Sequence, residues 1–268
     1  MIQSPLIPRL LFCCFLATSP AACGGNTSGS FAGGVPYHPG DVTVVGDKTD
    51  DGTVPAPGGC ASAECSTAVG QCENQDAADV VVDAQGKVVD VICYKPDLVV
   101  TNVPAAGPSG SASVGNNALL VIDGANDGVD VAGDVTLAGN NDAIYGEGPA
   151  VSVIGGTVDI QKNNAKVRGV RIEGDVTIDK NNTKLVFCVI DGNLTISGNN
   201  TTVANCDVYG TTTVTGQDTV LAGDRFEGPQ AFTGGNMVCS ADVAFTDANG
   251  DHVVDVSELG AAVTCGSH

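Results

Sequence analysis

Gly156, Gly174, Gly192, Gly210 and Gly228 recur every 18 residues, and the segments they open repeat one another: GTVDIQKNNAKVRGVRIE, GDVTIDKNNTKLVFCVID, GNLTISGNNTTVANCDVY, GTTTVTGQDTVLAGDRFE. A looser copy, GDVTLAGNND, begins at Gly133, 23 residues before the first. This short fixed period constrains the fold more than any other feature of the chain. A β-rich unit of that length cannot bury an apolar face by itself and does so only by stacking on its neighbours, which makes a solenoid.

Inside each unit the second and fourth positions after the glycine are Val158/Ile160, Val176/Ile178, Leu194/Ile196 and Thr212/Val214, with polar Asp159, Thr177, Thr195 and Thr213 between them. Alternation of this kind is a strand with one buried face. Asn163-Asn164, Asn181-Asn182 and Asn199-Asn200 follow, giving way to Gln217-Asp218. Asn tolerates the left-handed region, so a corner is expected there, with amides able to bond up and down the stack. The second half carries Val167/Leu185/Val203/Leu221 and Ile172/Ile190/Val208/Phe226. Two short strands flanking a bend fit that spacing, and stacking at about 4.8 Å turns the positions into apolar columns. Hydrophobic residues make up 43% of the chain and aromatic residues only 4%, with no Trp and 36 Gly. That balance suits a Val/Gly/Asn solenoid better than a globule with an aromatic core.

The repeat resembles the parallel β-helix families over roughly residues 110–228. A coil this short is also similar to the bactofilin-type solenoids and has the length of left-handed hexapeptide helices. The latter require an aliphatic residue every six positions, which these units lack. The expected fold is therefore all-β: a single-stranded right-handed parallel β-helix of about 18 residues per coil, with a small disulfide-rich N-terminal module.

Ahead of the repeat, residues 1–22 carry one Arg, an apolar run from Leu10 to Ala17 and then small residues, the pattern of a signal peptide rather than a membrane span. Pro20-Ala21-Ala22-Cys23-Gly24 resembles a bacterial lipobox, which implies acylation of Cys23 after cleavage; Pro20 departs from that pattern, and ordinary cleavage after an Ala-x-Ala-like site is the alternative. Residues 23–58 are rich in Gly, Pro, Ser and Thr and read as a flexible tether, including the fragment DKTDDG at 47–52. A lipid anchor implies a bacterial cell-envelope protein, an outer-membrane lipoprotein facing periplasm or exterior.

Residues 59–99 form the next module. Asp79–Asp83 and Lys87–Ile92 read as a β-hairpin, surrounded by Cys60, Cys65, Cys72 and Cys93. Two disulfides with three possible pairings are expected; zinc is the competing reading, with no CxxC and no nearby His behind it. The solenoid itself is expected over 100–235, with a degenerate first coil at 110–132 and an insertion leaving the stack at Tyr145–Pro149. Cys188 and Cys206 share one position in adjacent coils, where a disulfide is the favoured reading and two small buried side chains the alternative.

Residues 236–268 form a C-terminal cap. Asp247, Asn249, Asp251, Val253, Asp255 and Glu258 stand at positions 1, 3, 5, 7, 9 and 12 of a loop that resembles the calcium loops of EF-hand and dockerin modules, with Val254 as its inward apolar residue. His252 occupies the sixth position, where Gly normally turns the chain. The resemblance implies one Ca2+ of modest affinity, roughly 10⁻⁴–10⁻³ M; an acidic surface loop is the plain alternative. Cys239 and Cys265 bracket the loop as a candidate disulfide.

The net charge of −20 turns the chain away from nucleic acid and anionic surfaces. Lys162, Lys166, Arg168, Arg171, Lys180 and Lys184 fall in two adjacent coils as a candidate anion patch; pairing with Asp159, Glu173, Asp175 and Asp179 is the plain alternative. Asp159, Asp175 and Asp179 offer an outward carboxylate set for glycoside cleavage; solvated polar positions on an acidic protein are the plain alternative, and no catalytic set is assigned. A Thr column at Thr136, Thr177, Thr195 and Thr213 raises ice or mineral binding, against which its flanking residues are irregular. The expected role is non-catalytic, a structural or adhesive envelope solenoid whose partners are the membrane through its anchor and an extracellular polysaccharide or another surface protein. A carbohydrate-active β-helix enzyme, a lyase or hydrolase of acidic polysaccharide, is the alternative.

Overall fold

The computed structural model describes residues 43–45, 77–82, 88–94, 99–103, 110–123, 130–147 and 152–266. The chain is an all-β parallel solenoid. Each regular coil contributes one strand to each of three parallel sheets, so the stack is a three-sided prism. The first face runs from Ala112–Val114 through Val135–Leu137, Val158–Ile160, Val176–Ile178, Leu194–Ile196 and Thr212–Val214 to Gln230–Phe232. The second runs from Val99–Val103 to Val238–Ser240, and the third from Ser152–Ile154 to Val243–Phe245, closed by Leu259–Ala262, which pairs antiparallel. The stack thus runs past residue 235, where the sequence pattern fades, by the two strands that complete the coil begun at Gly228.

Register is set by the 18-residue period. Val158 faces Val176, Val176 faces Leu194 and Leu194 faces Thr212, so every inward position meets its equivalent in the next coil. The columns expected to be apolar are the core: Ile160, Ile178, Ile196, Leu185, Val203, Leu221, Ile172, Ile190, Val208 and Phe226 are all fully buried. The spacing glycines allow the close approach between coils. A Cβ on Gly192 would lie 2.5 Å from the backbone of Gly174, nearer than real contacts allow.

Two kinds of corner join the faces beside the glycine turn. At the Asn-Asn corner the second residue is left-handed in every coil: Asn117, Asn141, Asn164, Asn182, Asn200, Asp218 and Asn236 have φ between 54° and 63°. Asn141, Asn164 and Asn182 Nδ2 donate to the Oδ1 of Asn117, Asn141 and Asn164 at 2.8, 2.9 and 3.0 Å. The first Asn of each pair accepts from the next coil's backbone, as Asn163 Oδ1 does from Asn181 N at 3.1 Å and Asn181 Oδ1 from Asn199 N at 2.9 Å. The expected amide ladder is present twice over.

The corner between the second and third faces has no common residue. Its left-handed column is Gly169, Phe187, Asn205, Gly223 and Ala241. What repeats is the backbone bond: the N–H groups of Gly169, Phe187, Asn205 and Gly223 donate to Val186, Ala204, Ala222 and Ser240 carbonyls at 2.9–3.0 Å. The following residues, Cys188, Cys206, Asp224 and Asp242, form a buried polar column. Cys188 and Cys206 are neighbours but carry free thiols, contrary to the favoured disulfide. In-register stacking keeps their Cα–Cβ bonds parallel, so the Cβ atoms stay near the coil spacing of about 4.8 Å rather than converging to the roughly 3.8 Å that a bridge needs.

The hairpin consists of Ala77–Val82 and Val88–Tyr94, slightly longer than expected, and Thr43–Val45, inside the stretch read as tether, pairs antiparallel with its first strand. Val81 and Ile92 pack on Val186, Ala204 and Ala222, an outward apolar column of the second face. The stretch read as an export signal, Cys23, Cys60, Cys65 and Cys72 lie outside the described residues, as does the part of the expected 145–149 insertion beyond Glu147; Tyr145 to Glu147 remain in a strand.

Candidate functional site: the C-terminal loop on the third face

Along the outer side of the third face, Arg171, Val189, Asp207, Arg225 and Val243 form one column. Outward residues of a solenoid are ordinarily wet, yet Asp207 and Arg225 have side chains only 3% exposed. They make a two-pronged ion pair, Arg225 Nε to Asp207 Oδ1 and Nη2 to Oδ2, the latter at 2.7 Å. What covers them is the C-terminal loop. Val254 is 1% exposed, and its carbonyl accepts from Arg225 Nη1 at 3.5 Å.

The loop reaches back across several coils. Glu227 Oε1 accepts the N–H of Asp247 at 3.0 Å. The imidazole of His252 stacks on Tyr209 at 4.8 Å between centroids, while Phe245 meets the same ring edge-on at 5.1 Å. His252 Nδ1 lies 3.2 Å from Asp191 Oδ1, and Asp191 also accepts from Arg171 Nε and Nη2 at 2.9 Å each. Burial, with Asp207 and Asp247 nearby, pushes the Tyr209 hydroxyl well above its ordinary range.

The backbone of the loop bears on the calcium expectation. Gly250 and His252, positions 4 and 6, have φ of 70° and 57°. His252 therefore takes the left-handed turn that a glycine would ordinarily supply. Asp247 Oδ1 accepts Gly250 N at 2.8 Å and Oδ2 accepts His252 N at 3.0 Å. Asn249 Oδ1 accepts Asp251 N at 3.0 Å, and Asp251 Oδ1 accepts Val253 N at 2.9 Å. Glu258 closes the ring through both carboxylate oxygens, from Ala248 N and Asp255 N at 3.0 Å each. The carboxylates are thus turned to loop amides, and among the described residues no three metal-type side chains converge. The donor types and the turn suit a hard oxygen-seeking cation. Cys239 and Cys265 are joined, with Cα atoms 5.5 Å apart, and clamp the segment that carries the loop.

The six basic residues do not form one patch. Lys162 and Lys180 are exposed beside the Asn corner; Lys166, Arg168 and Lys184 lie on the second face, and Arg171 lies on the third. Lys184 Nζ donates to Asp90 Oδ2 of the hairpin at 2.5 Å and to Thr202 Oγ1 at 2.9 Å. The Arg168 guanidinium sits 5.5 Å from the centre of the Phe187 ring. These partners, Asp90, Asp191 and Phe187, are not the acids that the sequence suggested.

Two of the outward acids of the first face, Asp175 and Asp179, are held by the neighbouring coil, and Asp159 by a side chain of its own coil. Asp175 Oδ1 accepts from Asn193 N at 2.7 Å and Nδ2 at 3.0 Å, Asp179 Oδ1 from Ser197 Oγ at 2.9 Å, and Asp159 Oδ2 from Gln161 Nε2 at 2.7 Å. Asp134 accepts the amide and hydroxyl of Thr157, which hold its carboxyl below the usual range.

No family model matches this chain, nor does any curated protein or solved structure. No helix among the described residues is long and apolar enough to cross a membrane.

Proposed function

We propose that the chain is a non-catalytic cell-envelope lipoprotein, anchored through Cys23, whose solenoid serves as a structural or adhesive rod. The observation that carries this reading is how the outward polar groups are used. Asn ladders at one corner and Asp134, Asp175 and Asn193 at the glycine turn tie coil to coil. The hairpin and the C-terminal loop overlay the second and third faces. Groups that a catalytic cleft would present to a ligand are here engaged in holding the rod together. Fold alone does not assign activity. An extracellular polysaccharide or another surface protein is the partner class this reading names, with the first face, which no other element covers among the described residues, as its ground.

The loop from Asp247 to Glu258 is proposed to take one Ca2+, with Asp247, Asn249, Asp251, Asp255 and Glu258 as oxygen donors and the Val253 carbonyl as the backbone donor. Its left-handed turns at Gly250 and His252 support that reading. Bound calcium would neutralise acid charge at the cap and stiffen the loop against Tyr209 and Arg225. Calorimetric titration of the exported chain beside Glu258→Gln tests it: saturable heat lost in the variant, with calcium raising the melting temperature, is expected. An inert titration removes calcium from the reading. Release of reducing ends from an acidic polysaccharide, abolished by Asp175→Asn, would replace the non-catalytic role with the enzymatic one.

A further inference from the structure

The stack ends unevenly at its C-terminal side. The third face is closed there by the antiparallel strand Leu259–Ala262. The first face stops at Gln230–Phe232, which pairs only with Thr212–Val214 among the described residues. Thr212 N donates to Pro229 O and Thr233 N to Val214 O. In a parallel ladder those two bonds direct the N–H and C=O of Ala231 into the stack and those of Gln230 and Phe232 away from it. Two donors and two acceptors therefore line an edge.

Edge strands in natural proteins carry devices against pairing: an inward charge, a lysine, a proline or a bulge. Apart from its shortness, three residues, this strand has none of these within it; Pro229 precedes it, and its register is regular. From Gly228 to Ala241 there is no charged residue, in a chain of net charge −20. The same end carries Val238, 41% exposed, exposed Ala231, and Phe232 and Met237 only partly buried over the end of the core. Among the described residues the second face also ends openly, at Val238–Ser240, so two adjacent edges and exposed apolar side chains share one neutral coil.

We propose that the occupant of this edge is a second copy of the chain, paired antiparallel through Gln230–Phe232 about a two-fold axis. Two features of the end select that geometry. Head-to-tail stacking requires all three sheets to run on in parallel, and Leu259–Ala262 blocks the third. A self-paired edge uses the same surface twice and closes as a dimer, whereas a head-to-tail contact propagates. The neutral coil keeps the acid charge of two chains out of the contact.

Sedimentation velocity on the full exported chain tests this, with Cys23→Ser so that no acyl chain contributes to the mass. A reversible dimer is expected by about 100 µM. Gln230→Pro removes an edge donor together with the side-chain bond from Gln230 Nε2 to Gly228 O, and Val238→Lys places a charge on the second-face edge strand at the same end; each weakens the dimer about tenfold or more and leaves the unfolding of the middle coils unchanged. Ser113→Lys, on the first-face strand at the opposite end, leaves the dimer intact. A wild-type monomer at that concentration overturns the proposal. So does a dimer indifferent to both variants, one dissolved by Ser113→Lys, or a mass that grows beyond two copies.

Discussion

The coils from Gly156 to Gly228 and the end that follows them are held by different means. In the middle, one small set of contacts is used again from turn to turn: an apolar column residue on its equivalent, a corner N–H on the Asn oxygen of the preceding coil, and a left-handed corner N–H on the next carbonyl. At the end, the contacts occur once each. They are a buried Arg225–Asp207 pair, the Val254 carbonyl, His252 on Tyr209, and the Cys239–Cys265 bridge. Repeated contacts spread stability along a stack whose units see only their neighbours. Single contacts concentrate it in a latch.

The sharpest break comes from Asp207→Ala, which leaves Arg225 buried without its partner, at a cost of about 3–5 kcal/mol. The loss is expected to stay local, as faster amide exchange over 247–258 with the middle coils protected. Exchange rising equally throughout would erase the distinction between latch and stack. Ile178→Ala makes the converse case. It opens a cavity in a fully buried column and costs about 2–5 kcal/mol, read as a lower urea midpoint for the coils on both sides. Replacing Cys239 and Cys265 together by Ser, which frees a 26-residue separation, costs about 3 kcal/mol on the loop-entropy account. Thermal unfolding would show it as an early transition at the C-terminal end. The smallest effect belongs to the ladder. Asn182 has φ 61° and one amide bond to Asn164; Asn182→Ala costs about 1–2 kcal/mol and Asn182→Gly less, by chemical denaturation. An Ala variant as stable as wild type would show that the backbone bond alone holds that corner.

The same contrast decides how far the sequence could be read. The stack was legible because repetition writes itself into spacing: Val176, Ile178 and Leu185 announce their columns, and Asn181-Asn182 announces its turn. The other left-handed corner was illegible because its backbone bond accepts Gly, Phe, Asn or Ala alike. Nothing in the repeat marks Val186, Ala204 and Ala222 as covered positions, because their cover, Val81 and Ile92 of the hairpin, lies far earlier in the chain. In the C-terminal loop the spacing of Asp247, Asn249 and Asp251 revealed a turn. That Tyr209, Asp191 and Arg225 receive it could not be read, since their positions carry mixed residues from coil to coil and the loop that meets them lies farther along the chain. The basic residues misled for a related reason: nearness in sequence placed them in two coils, while the three-sided prism sent them to different sides.

The docking of the loop also fixes a count. A stack of identical turns has no intrinsic length, and an added copy of 18 residues would be welcomed by its neighbours. The segment from Phe245 to Val254, however, must meet Glu227, Arg225, Tyr209 and Asp191 at once. One extra turn between Asp191 and Glu227 would carry His252 away from its carboxylate by a full coil spacing. The loop therefore works as a caliper. Near its C-terminal end the rod can be lengthened only by giving up that closure, while turns nearer the N-terminal side of Asp191 lie outside its grip.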